Sequence, residues 1–193
     1  MIRIKSTYNP RQILYISFGN LSTQEIGFPF ETDFAGEKPY LAAFDYSDSS
    51  LDSFRVWAER HYKRINKLNY RWGTKFTSFQ NLFPPRTAYN PLPIYRQNSG
   101  KDWYLFLHSQ LKNYINQTVN VIRQVNSNYK IVNEYATVTE SFSSMLVSFA
   151  FKDLDQQVIG TKVHDDPYYN HRWITDVVRS NRPGKWILNE VFY

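Results

Sequence analysis

The sequence predicts an α/β fold in which about four parallel strands are connected by helices. In the second half of the chain, short apolar runs alternate with segments of helical periodicity. A strand, helix, strand succession almost always forms a right-handed crossover between parallel strands. Polar residues also follow each apolar run near its carboxyl end, which is where parallel α/β folds and barrels place their functional sites.

The first half of the chain provides one of these strands and two helices. The run "ILYISFG" (13–19) is apolar, ends in glycine and is typical of a buried strand. The stretch from there to about residue 47 contains Pro, Gly and polar residues and predicts no regular element. A helix follows, capped by Ser49 or Ser50. Its apolar face contains Leu51, Phe54, Trp57, Ile65 and Leu68.

Residues 69–99 are predicted to form a loop because four prolines interrupt any helix there. The second helix is predicted from about Lys101 to Asn126. Its predicted apolar stripe consists of Trp103, Phe106, Leu107, Leu111, Tyr114, Ile115, Thr118, Val121, Ile122 and Val125.

The remaining elements alternate regularly. We predict strands at 129–138, 158–163 and 185–192, and helices at 140–151 and 168–181. The polar residues at or after the ends of the four strands are Gln24 and Glu25, Asn133 and Glu134, His164 and Asp165, and Asn189 and Glu190.

Composition excludes several classes of protein. The chain has no cysteine, which excludes disulfide scaffolds and thiolate metal sites. Its formal net charge is +6, but the basic residues are dispersed and no nucleic-acid-binding motif accompanies them. Neither a signal peptide nor a membrane span is apparent, so the chain as given is expected to be soluble, with an unknown compartment. Its 15 Tyr, 14 Phe and 5 Trp suit a packed core or a cleft in which rings stack on sugars.

One segment, "FRVWAERHYKRINKLNYRWGTKFTSFQNLFPPR" (54–86), carries a family resemblance. It resembles glycoside hydrolase family 42 β-galactosidases and related clan A retaining glycosidases. The matches, in order, are Phe54, Trp57, Tyr62, Leu68-Asn69, Trp72-Gly73-Thr74, Phe76 and Pro84-Pro85. The regions 13–29 and 158–190 resemble the fourth strand of that family's barrel and its sixth and seventh strands.

The resemblance implies a TIM-barrel-like (β/α)8 fold, here a partial barrel with strands four to seven. It implies Glu25 as the catalytic acid/base and Glu190 as the nucleophile. Gln24 stands where the family has Asn directly before the acid/base, and can still donate an amide hydrogen bond. Glu31 and Glu37 are competitors of Glu25 for that role. No metal or organic cofactor is required for the implied mechanism.

Three further residues are candidate substrate ligands, each with a structural alternative. Asn133 ends a predicted strand, but could cap the following turn. His164 could bond to a sugar hydroxyl or be an ordinary core histidine. Trp72 could form a wall of the sugar site or anchor a turn. For Glu190 itself, the alternative is a salt bridge to Arg179 or Arg182.

The domain organisation predicted is one partial barrel domain over 1–193, with an irregular helical and loop insertion at about 48–100. In the family mapping, strands one to three would precede Met1 and strand eight would follow Tyr193. We therefore expect a fragment of a longer enzyme, or a reduced domain that associates with another copy. The predicted function is β-galactosidase-like retaining hydrolysis of a β-glycoside or an oligo- or polysaccharide. The alternative is a non-catalytic carbohydrate-binding or assembly module; neither nucleic acid nor membrane is an expected partner.

Overall fold

A computed structural model of the chain describes residues 12–19, 30–33, 40–43, 46–85, 97–135, 160–165, 176, 179–180 and 183–191. The strands are β1 (Ile16–Phe18), β2 (Phe30–Asp33), β3 (Tyr40–Ala43), β4 (Ile131–Tyr135), β5 (Gly160–Asp165) and β6 (Trp186–Val191). The α-helices are α1 (Asp48–Tyr62), α2 (Ile65–Trp72) and α3 (Asn98–Val125), and a 3-10 helix covers Phe79–Asn81.

Strands β1, β4, β5 and β6 form a four-stranded sheet in that order, and every neighbouring pair is parallel. The spatial order of these four strands follows their order along the chain. All four predicted strands of the sheet are therefore confirmed. The helix predicted at 140–151 lies outside the described residues. So does most of the one at 168–181, where Asp176, Arg179 and Ser180 are helical.

The stretch before residue 47, predicted to be irregular, contains a β-hairpin-like pair in the described part. Strands β2 and β3 are antiparallel, with Phe30 opposite Ala43 and Asp33 opposite Tyr40. The prediction was wrong because each strand is only four residues long, too short for alternation to rise above a polar, Gly- and Pro-containing background.

The first helix is shorter than predicted and begins earlier. Ser47 is its cap: the Ser47 hydroxyl accepts a hydrogen bond from the backbone N–H of Ser50 at 3.3 Å. The helix ends at Lys63, which adopts a left-handed conformation with φ 64°. The prediction of one continuous helix was therefore wrong. Leu68 of α2 packs in the same buried cluster as Ala58 and Tyr62 of α1, so the apolar pattern of the sequence continues across the break between the two helices.

Helix α3 agrees with its prediction in extent and differs in one part of its stripe. Val119 is fully buried, whereas the predicted stripe residue Val121 is 54% exposed. The buried positions Leu111, Ile115, Val119 and Ile122 follow the helical spacing of three to four residues. Tyr114, on the same helix, contacts Phe18 of β1 at 6.4 Å between ring centroids and donates its hydroxyl to the Gly19 carbonyl at 2.9 Å.

The chain separates into two compact units, one formed by 1–27 together with 110–193 and the other by 28–109. One contains the parallel sheet, and the other contains β2, β3, α1 and α2. In this second unit an aromatic cluster surrounds Phe54, which is completely buried. The rings that contact Phe54 belong to Trp57, Trp72, Trp103 and Phe106, at centroid distances of 5.1–6.2 Å. Many of the aromatic residues of the sequence are thus core residues.

The turn after α2 is held by the side chain of Asn69. Its amide donates to the Phe76 carbonyl at 2.8 Å, and its oxygen accepts from the Phe76 N–H and the Thr74 hydroxyl, both at 2.9 Å. Gly73 ends α2 with φ 70°, a conformation that glycine adopts without steric cost. The "LNYRWGTKF" portion of the family motif therefore specifies a turn.

We expect Asn69→Ala to lower the free energy of unfolding by about 2–3 kcal/mol, because it leaves the Phe76 peptide groups without partners. Urea denaturation at an unchanged m-value measures this loss. Asn81→Ala is the matched control. The Asn81 amide also donates a 2.8 Å bond, to Thr77, but it is exposed, so its loss should stay within about 0.5 kcal/mol. Equal losses in the two variants would contradict the structural role of Asn69.

Candidate active site

The carboxyl ends of the parallel strands bring two of the predicted site residues together. His164 and Glu190 are direct partners in the register between β5 and β6, and neighbouring strands are about 4.8 Å apart. Each lies one residue before the last residue of its strand. Their backbone positions are those expected for a site at the carboxyl edge of the sheet.

Two described contacts distinguish the faces of this sheet. Phe18 contacts Tyr114 of α3, which identifies the α3 face. On the opposite face, the Lys130 ammonium lies 4.7 Å from the centroid of the Trp186 ring. Residues alternate between the two faces along each strand, and residues paired in register share a face. Glu190 lies four residues after Trp186, so the register places Glu190 and its partner His164 on the opposite face.

Asn133 is placed differently. It pairs with Phe18 in the register of β1 and β4, so it belongs to the α3 face, and its side chain is completely buried. The structure therefore does not bring Asn133 to the same face as His164 and Glu190. The role of Asn133 in sugar binding stays a prediction, and its position favours a structural role.

Gln24 and Glu25 lie outside the described residues, as does Glu37. Glu31, the other competitor for the acid/base role, lies in β2 opposite Ala42. The assignment of Glu25 as acid/base thus stays a prediction from the resemblance. The described partner of Arg179, one of the two arginines considered for Glu190, is Asp176 at 2.9 Å, in an exposed pair.

Trp72 lies in the unit that contains α1 and α2, where it is partly buried and contacts two other aromatic rings. Phe54 stacks on it at 6.2 Å and Phe76 meets it edge-on at 6.2 Å. Its indole N–H donates to the Asp102 carboxylate at 2.7 Å. These contacts are those of an anchor; a wall of the sugar site, the other interpretation of Trp72, stays a prediction.

Sequence reasoning missed Asp102, a completely buried acid on α3. One of its oxygens, Oδ2, accepts hydrogen bonds from both the Tyr62 hydroxyl and the Trp72 indole. Within the described part of the chain, the other oxygen has no hydrogen-bond partner. Burial raises the pKa of Tyr62 above its ordinary range, and the hydrogen bond to the Asp102 carboxylate and its negative charge raise it further. The available signal was spacing, since Asp102 lies four residues before the buried Phe106 and so shares the apolar face.

Two other features, a metal centre and a membrane-spanning helix, are absent from the described ranges. No group of three or more His, Cys, Asp or Glu side chains there is arranged to hold a metal ion. Among the same residues, no helix has the length and apolar character needed to cross a membrane.

Comparisons with known proteins agree with the motif. The sequence profile of glycoside hydrolase family 42, described as β-galactosidase, matches residues 37–191. A β-galactosidase from an Arthrobacter species is 32% identical over 117 residues, which are 57% of this chain and 16% of that protein. A β-galactosidase from Geobacillus kaustophilus is 24% identical over 156 residues, 75% of this chain and 22% of that protein. The chain thus covers less than a quarter of these two relatives.

Among solved structures, the catalytic domain of β-amylase from Paenibacillus polymyxa superposes with a TM-score of 0.55 and 16% identity. The match covers 83% of this chain and 45% of that structure. A likeness at this level of identity concerns the fold alone, and it supports an α/β architecture of the kind found in barrel glycosidases.

Proposed function

Because the chain belongs to glycoside hydrolase family 42, the β-galactosidases, we propose that it forms part of a retaining β-glycosidase with Glu190 as the nucleophile and Glu25 as the acid/base. The observation that carries this proposal is the register of β5 and β6. It supports a site at the carboxyl edge of the parallel sheet, with Glu190 beside His164. The substrate class is a β-galactoside, free or within an oligosaccharide, by analogy with the named relatives.

The mechanism needs two carboxyl groups in different protonation states. In the first step the ionised Glu190 attacks the anomeric carbon, while the protonated Glu25 gives its proton to the leaving oxygen. A covalent glycosyl-enzyme results, and the aglycone leaves as an alcohol. Glu25, now a carboxylate, then takes a proton from water, which attacks the same carbon and releases Glu190. Two inversions at one carbon give net retention of the β configuration.

Within this scheme the other residues orient the sugar. His164, the register partner of Glu190, is proposed to bond to a sugar hydroxyl beside the anomeric carbon. Gln24 is proposed to donate its amide to another hydroxyl. The carboxyls of Glu25 and Glu190 need to stand roughly 5–5.5 Å apart for direct double displacement.

We further propose that the parallel sheet is part of a (β/α)8 barrel. The order β1, β4, β5, β6 is that of successive barrel strands, and a complete barrel has eight. Strands beyond these four would come from outside the described residues, in a longer polypeptide or in a second copy of the chain. Either source would also pair the backbone groups along the outer edges of the sheet.

The stereochemistry of the product tests the proposed mechanism. We expect hydrolysis of an aryl β-galactoside, followed by proton NMR, to give β-galactose first, with the α anomer growing only at the rate of mutarotation. The matched control is the same substrate cleaved by dilute acid, which gives both anomers from the start. Initial release of the α anomer would exclude a retaining mechanism.

A carbohydrate-binding or assembly module is the second candidate, favoured by the short share of the relatives that the chain covers. It predicts that galactosides quench Trp fluorescence while no aryl group is released. The same preparation distinguishes the two functions, since turnover contradicts the module, whereas binding without turnover supports it.

A further inference from the structure

We propose that an exposed basic surface at the end of α1 and along α2 binds an anionic galactan, a galactose polymer that carries sulfate or carboxylate groups. The inference rests on the proposed function, because it extends the substrate class from a neutral β-galactoside to a charged polymer. The family resemblance does not imply this surface, since none of its residues is among those that match the motif. The basic surface consists of Arg60, Lys63, Arg64, Lys67, Arg71 and Lys75.

The net charge of the chain is concentrated in this surface. Residues 60–75 contain six Lys or Arg and no Asp or Glu. The rest of the chain contains 17 Lys or Arg and 17 Asp or Glu, so it is formally neutral. Basic residues are dispersed along the sequence, but their excess over acids is not. The basic surface therefore accounts for the whole formal net charge of +6.

The basic side chains are open to a partner. All six are exposed, while Ala58, Tyr62 and Leu68 of the same two helices pack in one buried cluster. Among the residues that the structure describes, none of the six has an ion pair. Arg55, earlier on α1, differs in this respect because it pairs with Asp52 at 2.7 Å. The cations of the basic surface are therefore available to an anion from outside the chain.

Helix electrostatics explains only part of this arrangement. Arg60 and Arg71 lie in the last turns of α1 and α2, where a cation is favourable toward the helix dipole. Arg64 is the N-cap of α2 and Lys67 is its third residue, in a first turn without an acid. A cation is unfavourable at that end, and Lys67 and Arg71 repel each other because they are one helical turn apart. An external anion would relieve both effects.

The conformation of Lys63 points in the same direction. Lys63 ends α1 in a left-handed conformation with φ 64°, which glycine adopts without steric cost. A side chain at such a position strains the backbone, and strain of this kind is concentrated at functional positions. A charged side chain is thus present where a glycine would favour the fold.

The extent of the basic surface suits a polymer of sugars. Helix α2 has eight residues and is about 12 Å long, which exceeds the length of one sugar ring. Tyr70 lies on it beside Lys67 and Arg71 and is 93% exposed, so its ring is free to stack on a sugar. No nucleic-acid-binding motif accompanies these residues, whereas the chain belongs to a family of β-galactosidases. A galactan is therefore the polyanion that the observations favour.

The experiment measures the affinity of the full chain for three galactans by calorimetry. They are λ-carrageenan, which carries sulfate, carboxylated agarose, and neutral agarose oligosaccharides. We expect one of the anionic galactans to bind at least about tenfold more tightly than neutral agarose in about 50 mM sodium chloride, and to lose affinity at about 200 mM as released counterions oppose binding. The anionic galactan that binds more tightly identifies the charged group.

Two variants locate the binding on the basic surface. Lys67→Gln/Arg71→Gln should weaken the binding of the anionic galactan by about fivefold to thirtyfold, the range for two exposed ion pairs. Lys63→Gly should weaken it by about twofold to fivefold while raising the unfolding midpoint, because the substitution also removes strain. The matched control is Lys112→Gln/Lys185→Gln, which removes the same charge elsewhere and should bind within about twofold of the unchanged chain.

Several outcomes would overturn the proposal. These are equal affinity for the neutral and anionic galactans, unchanged affinity in either variant of the basic surface, and equal weakening in the control. Tighter binding of oligothymidylate than of either anionic galactan would also overturn it, in favour of a nucleic acid. The proposed function is tested separately, since Lys67→Gln/Arg71→Gln should cleave an aryl β-galactoside as the unchanged chain does. If neither protein cleaves it, the proposed function fails, and the galactan affinities still decide whether the basic surface binds.

Discussion

Replacing Glu190 with Gln is expected to lower kcat/KM for an aryl β-galactoside by at least about a thousandfold, which corresponds to about 4 kcal/mol of transition-state stabilisation. The amide has the size and shape of the carboxylate but does not attack the anomeric carbon, so the covalent glycosyl-enzyme no longer forms. The affinity for isopropyl thio-β-galactoside, which is not hydrolysed, should remain within about tenfold of that of the unchanged chain, because binding does not require nucleophilic attack. A large loss in kcat with a small change in affinity is specific to a chemical role.

The matched control is Glu59→Gln, which removes the same charge from an exposed position on α1 and should leave kcat/KM unchanged. A second variant, Glu190→Ala, tests the nucleophile by rescue. Sodium azide, a small anion that can occupy the vacated space, should restore turnover and yield α-galactosyl azide, since only one inversion then occurs. Unchanged turnover in Glu190→Gln, or no azide product despite intact folding, would contradict the assignment of Glu190.

The parallel sheet could be predicted from sequence because each of its strands carries a strong local signal. The run 13–19 and the "KWILNEVF" run (185–192) are apolar, short and bounded by Gly or Pro. The structure gives β1 as Ile16–Phe18 and β6 as Trp186–Val191. The order of the four strands was implied by the family resemblance, which maps them to consecutive strands, and the observed order agrees with it.

The break after α1 could not be predicted, because its signal is distributed over the tertiary structure. Lys63 adopts a left-handed conformation without being Gly or Asn, the residues that usually reveal such a position. Ala58, Tyr62 and Leu68 enter one buried cluster from both sides of the break. Periodicity therefore continues through it and describes a single helix.

The sequence could not predict which of the candidate site residues lie on the same face of the sheet, because that too depends on tertiary contacts. In "IVNEY" (131–135), apolar and polar residues occur at both parities, so alternation does not show which face holds the site. The sequence predicted Asn133 as a sugar ligand and gave no role to Glu134. The contact between Phe18 and Tyr114, together with the β1–β4 register, places Asn133 on the α3 face, and both are long-range facts.

The contacts of Asp102 show that residues of a family motif can have a structural function. Tyr62 and Trp72 both belong to the matching segment 54–86, and Trp72 is a candidate for a wall of the sugar site on sequence alone. Both donate to a carboxylate that lies 40 and 30 residues further along the chain. At least these two residues of the motif therefore stabilise the core of the second unit.

Replacing Asp102 with Ala is expected to destabilise that unit by about 3–5 kcal/mol, because the buried Tyr62 hydroxyl and the partly buried Trp72 indole lose their acceptor. Urea denaturation monitored by Trp fluorescence measures the loss. The matched control is Asp52→Ala, which removes an exposed acid paired with Arg55 at 2.7 Å and should cost at most about 1 kcal/mol. A loss no larger than that of the control would contradict a structural role for Asp102.

The pH dependence of stability provides a second test that does not require Asp102→Ala to fold. The folded protein holds the Tyr62 proton more tightly than the unfolded chain, whose tyrosines titrate near the ordinary pKa of 10.0. The contribution of this group is therefore fully present below pH 10 and decreases as pH rises above it, since the unfolded state releases the proton first. Tyr62→Phe keeps the ring and removes the titrating hydroxyl, so its stability should fall less steeply between pH 10 and pH 12 than that of the unchanged chain. If the two proteins lost stability in parallel over this pH range, Tyr62 would have the same pKa in the folded and unfolded states. That result would contradict an effect of the buried hydrogen bond to Asp102 on the pKa of Tyr62.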